Sequence, residues 1–321
     1  MFRNSCWIVI FATAAALTAC NQNDPHAAAT ATASPAATGG RSYPINVVCT
    51  VGMVADIARN VGGDHVKVTA LMGEGVDPHL YQASPGDVRL LSGADVVFYN
   101  GLLLEGKMTD VMIKLASRVP TVAVTEHIPE DTLRSPPEFA GHHDPHVWFD
   151  VSLWMKCAER VRDYLADEFD PAHRSDYERN AADYLARLAE LHEYARDQIA
   201  TIPDERRTLV TAHDAFGYFG RAYHIEVRAI QGLSTESEAS VKDINNLVAF
   251  IAERKIRAVF VESSVSQKNI QALVEGCAAA GHAVTIGGSL FSDAMGKDGT
   301  PDGTYVGMVR HNVDIIVRSL K

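Results

Sequence analysis

Apolar positions along the chain change period several times. Between Ile45 and Thr125, four short β-rich runs (Ile45–Thr50, Val66–Leu71, Ala94–Tyr99 and Thr121–Thr125) alternate with stretches whose apolar residues recur every three or four positions. Those stretches, Met53–Val61, Pro85–Ser92 and Lys107–Ala116, predict helices. The βαβα rhythm implies a parallel sheet covered by helices on both faces. Two helical patterns then follow with no strand between them, Val151–Glu168 and Arg174–Ile202, separated by Asp170-Pro171. In the second, Tyr177, Ala181, Tyr184, Leu188, Leu191, Ala195 and Ile199 form one apolar stripe uninterrupted by Gly or Pro. At the ordinary helical rise this helix is roughly 40 Å long, more than a small lobe is wide. It reads as a strut between lobes rather than a helix lying on one lobe, because a new series begins right after it. That series has strands at Thr208–Ala212, Glu226–Ile230, Arg257–Glu262 and Ala283–Gly287, with helical patterns at Ala239–Arg254, Lys268–Ala280 and Thr304–Leu320.

The fold expected is therefore α/β: two lobes with mainly parallel sheets joined by one long helix. The boundaries are 43–150 for the N-terminal lobe, 151–203 for the connecting helices and 204–321 for the C-terminal lobe. The segment before Tyr43 has a different character. Arg3 precedes an apolar run, Trp7–Leu17, about half the length of a membrane-spanning helix. The run ends in Leu17-Thr18-Ala19-Cys20, which resembles a bacterial lipoprotein signal. Residues 1–19 would be removed and Cys20 would carry the lipid. Residues 20–42, rich in Ala, Thr, Pro and Gly, have no periodicity to bury and read as a flexible tether.

A formal net charge of −11 argues against a nucleic-acid partner and suits a cation. Three cysteines fall within the folded region, Cys49, Cys157 and Cys277. They are too far apart for a zinc knuckle and read as small core hydrophobes, with one disulfide open.

Four segments concentrate metal-ligating side chains. Asp77-Pro78-His79-Leu80-Tyr81 and Asp144-Pro145-His146-Val147-Trp148 repeat one setting, Asp-Pro-His-x-aromatic. Ala212-His213-Asp214 and Ser292-Asp293-Ala294 each follow an expected strand, where open α/β sheets bind ligands. Each has an alternative reading. A histidine after a strand is commonly an ordinary loop residue, His213 could open a helix, and Asp293 could cap a turn. Glu262 follows the apolar run Val259-Phe260-Val261, as an ion-pair partner or as an acceptor behind a ligand imidazole. The ion pair is the simpler of the two. His142, His143 and His173 read as solvated, and Asp24-Pro25-His26 in the tether as chance.

These segments resemble the TroA-like and ZnuA-like solute-binding lipoproteins of zinc and manganese ABC importers. Further matching pieces are Gln231-Gly232-Leu233-Ser234-Thr235-Glu236-Ser237-Glu238-Ala239-Ser240, Val261-Glu262-Ser263-Ser264 and Leu290-Phe291-Ser292-Asp293-Ala294-Met295-Gly296. The resemblance implies two Rossmann-like lobes, a long connecting helix and a metal in the interlobe cleft on His79, His146, His213 and Asp293. It also implies lipid anchoring outside the cytoplasm and an ABC permease as partner. Relatives dedicated to zinc often carry a long His- and acid-rich loop before the second ligand, which residues 131–143 do not. Relatives dedicated to manganese usually have Glu where this chain has His213. Three imidazoles and one carboxylate suit zinc; a bidentate Asp293 keeps manganese open. A closed ligand set describes a carrier, not an enzyme. A tethered zinc hydrolase would need an open coordination position and a general base, for which Glu262 is the candidate.

Overall fold

The computed structural model describes residues 42–321 apart from 140. The expected signal peptide, Cys20, the tether and Asp24-Pro25-His26 lie outside the described residues. The first lobe is built on strands β1 (Ile45–Cys49), β2 (Val66–Ala70), β3 (Val96–Tyr99) and β4 (Thr121–Ala123), all parallel in the order β2-β1-β3-β4. Between them run α1 (Gly52–Gly62), α2 (Pro85–Ser92) and α3 (Thr109–Ala116). α2 starts where it does because Ser84 and Asp87 cap each other's backbone amides, with Pro85 at the first helical position. From Val124 to Asp150 the described chain forms only loops and single 3-10 turns.

The connecting segment opens with α4 (Val151–Asp163), capped by the Asp150 carboxylate, which accepts from the Ser152 amide. The expected single helix to Glu168 instead widens into a π-helical stretch, Tyr164–Phe169. Asp170 ends it. Its carboxylate accepts from the hydroxyls of Tyr43 and Tyr177, both at 2.7 Å. α5 (Arg174–Ala200) then runs for 27 residues. All seven residues of its expected stripe are fully buried. Its N-terminal half bonds to the first lobe: Asn180 donates to the Val61 carbonyl (3.1 Å) and the Tyr184 hydroxyl to Asp56 of α1 (2.8 Å). Its C-terminal half meets the second lobe, where the Tyr194 hydroxyl donates to Asp314. One apolar core continues through all of these elements.

The second lobe holds β5 (Thr208–His213), α6 (Gly217–Tyr223), β6 (Glu226–Gln231), α7 (Val241–Arg254), β7 (Ala258–Glu262), α8 (Lys268–Ala279), β8 (Thr285–Leu290) and α9 (Tyr305–Leu320). Its strands form two parallel pairs, β5–β6 and β7–β8, with β5 beside β7. At the carboxyl end of that seam a side chain takes over from strand pairing. Glu262 Oε1 accepts from the amides of Ala212 (2.8 Å) and His213 (2.9 Å). β8 begins two residues later and ends three residues later than its apolar run suggests. Gly287 is not its end: a Cβ there would meet Ser319 and Phe260 within 2.9 Å, so glycine lets α9 close onto the strand. Cys49, Cys157 and Cys277 are free and buried in the two cores.

Candidate metal centre

Each of the four expected ligands sits where a strand or turn delivers it to one point. His79 lies in the loop after β2, His146 just ahead of α4, His213 at the last position of β5, and Asp293 three residues past β8. His213 therefore belongs to a strand and does not open a helix, and Asp293 caps none. Their ligand atoms all lie within 4.8 Å of one another. His79 Nε2 and His146 Nε2 are 3.3 Å apart. Asp293 brings its oxygens to 3.2 Å of His213 Nε2, 3.5 Å of His146 Nε2 and 3.6 Å of His79 Nε2. The cluster is dry: His79 is 4 % exposed, Asp293 1 % and the other two 0 %. Both Asp293 oxygens and His213 Nε2 are buried without a hydrogen-bond partner. Buried polar atoms left this way are costly unless something else binds them. Three imidazole nitrogens and one or two carboxylate oxygens suit a divalent cation with four or five ligands.

The Asp-Pro-His repeat has a local cause. In both copies the aspartate accepts from the amide of the histidine two residues on: Asp77 from His79 at 2.9 Å, Asp144 from His146 at 3.0 Å. The proline between them fixes the turn. Asp144 Oδ1 also faces His146 Nδ1 at 2.8 Å, which leaves Nε2 to point at the cluster. Arg134 pairs with the other Asp144 oxygen. Its guanidinium crosses the start of α6, where a Cβ on Gly217 would lie 1.2 Å from Nη1; only glycine leaves that path open. Glu262 does the same service for His213: its Oε2 lies 2.5 Å from Nδ1. The two expectations for Glu262 meet in one contact: its carboxylate backs the imidazole of His213, pairs with that ring when it is charged, and also accepts from two backbone amides. Asp293 is aimed by its neighbours. The Trp148 indole donates to the Ser292 carbonyl (3.0 Å), and the Tyr305 hydroxyl holds the Trp148 carbonyl (2.5 Å).

In the sequence Asp77 and Asp144 stand out only as members of the repeated Asp-Pro-His setting, and Arg134 does not stand out at all. A signal existed for the two aspartates, a carboxylate two residues before each histidine with proline between. None existed for Arg134, which sits in an irregular stretch ten residues away. His142 is exposed, as expected, and lines a cavity of about 480 Å³ that reaches His79. His143 and His173 are only partly exposed: His143 meets Ser135 (2.8 Å), and His173 meets Asp170 (2.9 Å).

Charge in the centre is arranged unevenly. Burial, opposed by Asp293, lowers the pKa of His79 to about 3. Burial works against charging His213 too, but the carboxylates of Glu262 and Asp293 outweigh it and hold its pKa well above the ordinary histidine value. Burial would also raise Asp293; His213, then His146 and His79, outweigh it and hold the carboxyl well below its usual range.

The description "Zinc-uptake complex component A periplasmic" (ZnuA) matches residues 47–319 of this chain. The manganese-binding lipoprotein MntA of Bacillus subtilis is 49 % identical over 86 % of this chain and 90 % of its own length. The zinc-binding protein TroA of Treponema pallidum is 50 % identical over 85 % of this chain and 88 % of its own length. The solved structure of the periplasmic zinc-binding protein TroA superposes with a TM-score of 0.84, covering 86 % of this chain and 99 % of that one.

A pKa raised above the ordinary histidine value favours the protonated ring of His213 in the metal-free protein, whereas ligation requires the neutral ring. His79, at about 3, has no proton to lose. Metal binding near pH 7 is expected to displace protons from His213, so affinity should rise with pH until the raised pKa is passed. Titration calorimetry in buffers of different ionisation enthalpy reads that proton. Glu262→Gln removes the charge that sustains it, so the variant should release less and bind about 10–100-fold more weakly. Equal proton release from both proteins would contradict the assignment.

Proposed function

The chain belongs to the ZnuA family of periplasmic zinc-uptake components, and we propose that it is the extracytoplasmic metal-binding lipoprotein of an ABC-type importer. It binds a divalent cation, zinc in preference to manganese, on His79, His146, His213 and Asp293, and delivers it to a membrane permease. The lipid on Cys20 keeps it at the outer face of the cytoplasmic membrane, or in the periplasm where there are two membranes. Residues 43–150 and 204–321 act as the two lobes, and residues 151–203 as the connector between them.

The observation that supports this most is the set of buried, partnerless atoms at the cluster: Asp293 Oδ1 and Oδ2 and His213 Nε2, aimed at the same point as two further imidazoles. A site whose donors can all come from the protein suits holding an ion. Hydrolysis needs a free coordination position and a base beside it. Glu262, the base candidate, sits on the Nδ1 side of His213, turned from the cluster and occupied by two amides. The reading is therefore a carrier and not an enzyme. The metal preference follows from the donors: three imidazoles favour a borderline-soft ion, and a bidentate Asp293 would be needed to raise the oxygen share for manganese.

Metal that binds only the folded state stabilises it, by about 2.7 kcal/mol at a hundred times Kd. A chelator should therefore lower the melting temperature of the protein, and in His146→Ala the melting point, itself lowered by loss of a fully buried ring, should no longer respond to the chelator. A chelator response that persists in His146→Ala would take His146 out of the site. His213→Glu exchanges a nitrogen donor for a hard oxygen that can bind through one or two atoms. The zinc-to-manganese affinity ratio, read by competition titration at one pH, should fall in that variant even if zinc remains the tighter ion. A ratio that holds or rises would move the source of selectivity elsewhere.

A further inference from the structure

The two Asp-Pro-His turns are alike on their histidine side and differ on the other. Asp144 is held by Arg134 from the same irregular stretch, and its carboxylate also orients the His146 ring. Asp77 is held from the opposite lobe: the Thr235 hydroxyl, between β6 and α7, donates to Asp77 Oδ2 at 2.6 Å. The Asp77 carboxylate therefore ties the His79 amide to the second lobe. Among the described residues no hydrogen bond holds His79 Nδ1, so this turn is the polar tie that sets the position of His79. His79 is also the most exposed of the four ligands, at 4 %. It lines the cavity of about 480 Å³ whose other wall is Leu233, Ser234 and Glu236, the neighbours of Thr235.

Among the described residues one other polar contact joins the lobes at this rim, Lys107 to Glu236 at 3.2 Å, with both side chains about two-fifths exposed (39 % and 44 %). An exposed pair of that kind contributes little. The hydroxyl to carboxylate bond is short, with a donor residue 8 % exposed and a half-buried acceptor, and it is the stronger of the two ties.

We propose, on the reading that the centre carries a metal ion, that Thr235 is a positioning residue for metal release. Its hydroxyl couples lobe closure to the placement of His79. Parting of the lobes breaks the bond to Asp77, frees the His79 turn, and makes His79 the first ligand to let go. The metal then leaves by the cavity beside it.

The test uses the full chain loaded with Zn2+ and follows transfer of the ion to a chromogenic chelator by stopped flow. Thr235→Val keeps the shape and removes the donor; it should speed release about 10–100-fold, with the association rate changed far less. Thr235→Ser, which restores the hydroxyl, should release within a few-fold of wild type, and so should Glu236→Ala, which removes only the rim pair. With Co2+ in place of zinc, Thr235→Val should also alter the visible absorption bands, because a loosened imidazole changes the ligand field; a purely structural role would leave them unmoved. Thr235→Ala carries the same expectations if the valine variant does not fold. Release at the wild-type rate from Thr235→Val or Thr235→Ala would overturn the proposal, as would equal acceleration by Glu236→Ala. A wild-type chain that takes up no Zn2+ would overturn the metal-binding reading and this inference together.

Discussion

A carboxylate with no protein hydrogen-bond partner, sealed among three imidazoles, is the constraint to which the rest of the molecule answers. Asp293 is 1 % exposed and both its oxygens lack a hydrogen bond. Such a group is tolerable in an apolar interior only if positive charge is close at hand. In the metal-free protein His213 supplies that charge at 3.2 Å; a divalent cation would supply it better and also satisfy the facing nitrogens. The centre is thus strained toward a cation before one arrives, and the fold has to bear that strain without collapsing the gap.

It does so by putting the ligands on elements that cannot easily move. His213 ends a fully buried strand, and its ring is fixed from behind by Glu262. Asp293 follows β8 and is tied through Ser292 to Trp148, hence to Tyr305 of α9. α9 and α1 both pack on α5. The long helix therefore joins the two lobes through buried contacts along its whole length and not only at its ends, which limits how far a cleft can open without unpacking a core. Smaller displacements remain available at the loops, and His79, with the least support behind its ring, stands at the loop end of that range.

What could be read from the sequence follows from how local each cause is. α5 was legible because its stripe, its uninterrupted run and the break at Asp170-Pro171 are all properties of consecutive residues. The convergence of four segments was legible in part, since strand ends in α/β sheets point to a common crevice and the Asp-Pro-His setting occurs twice there. The partner of Glu262 was not, because its meeting with His213 depends on β7 lying beside β5, a contact between segments about fifty residues apart. The shift of β8 was hidden for a similar reason. Its glycines look like a strand end until α9, far along the chain, is seen to close on Gly287. Arg134 had no local signature, and its reach to Asp144 depends on a missing Cβ at Gly217.

Everything above requires that a single metal ion be held by three imidazoles and a carboxylate. X-ray absorption spectroscopy at the zinc edge, on the full chain loaded with one equivalent of Zn2+, tests it most directly. The account predicts three imidazole nitrogens at about 2.0–2.1 Å with their outer-ring scattering, plus one or two oxygens at about 2.0–2.2 Å and no sulfur. A spectrum with one imidazole or none, or with a sulfur at about 2.3 Å, would contradict it.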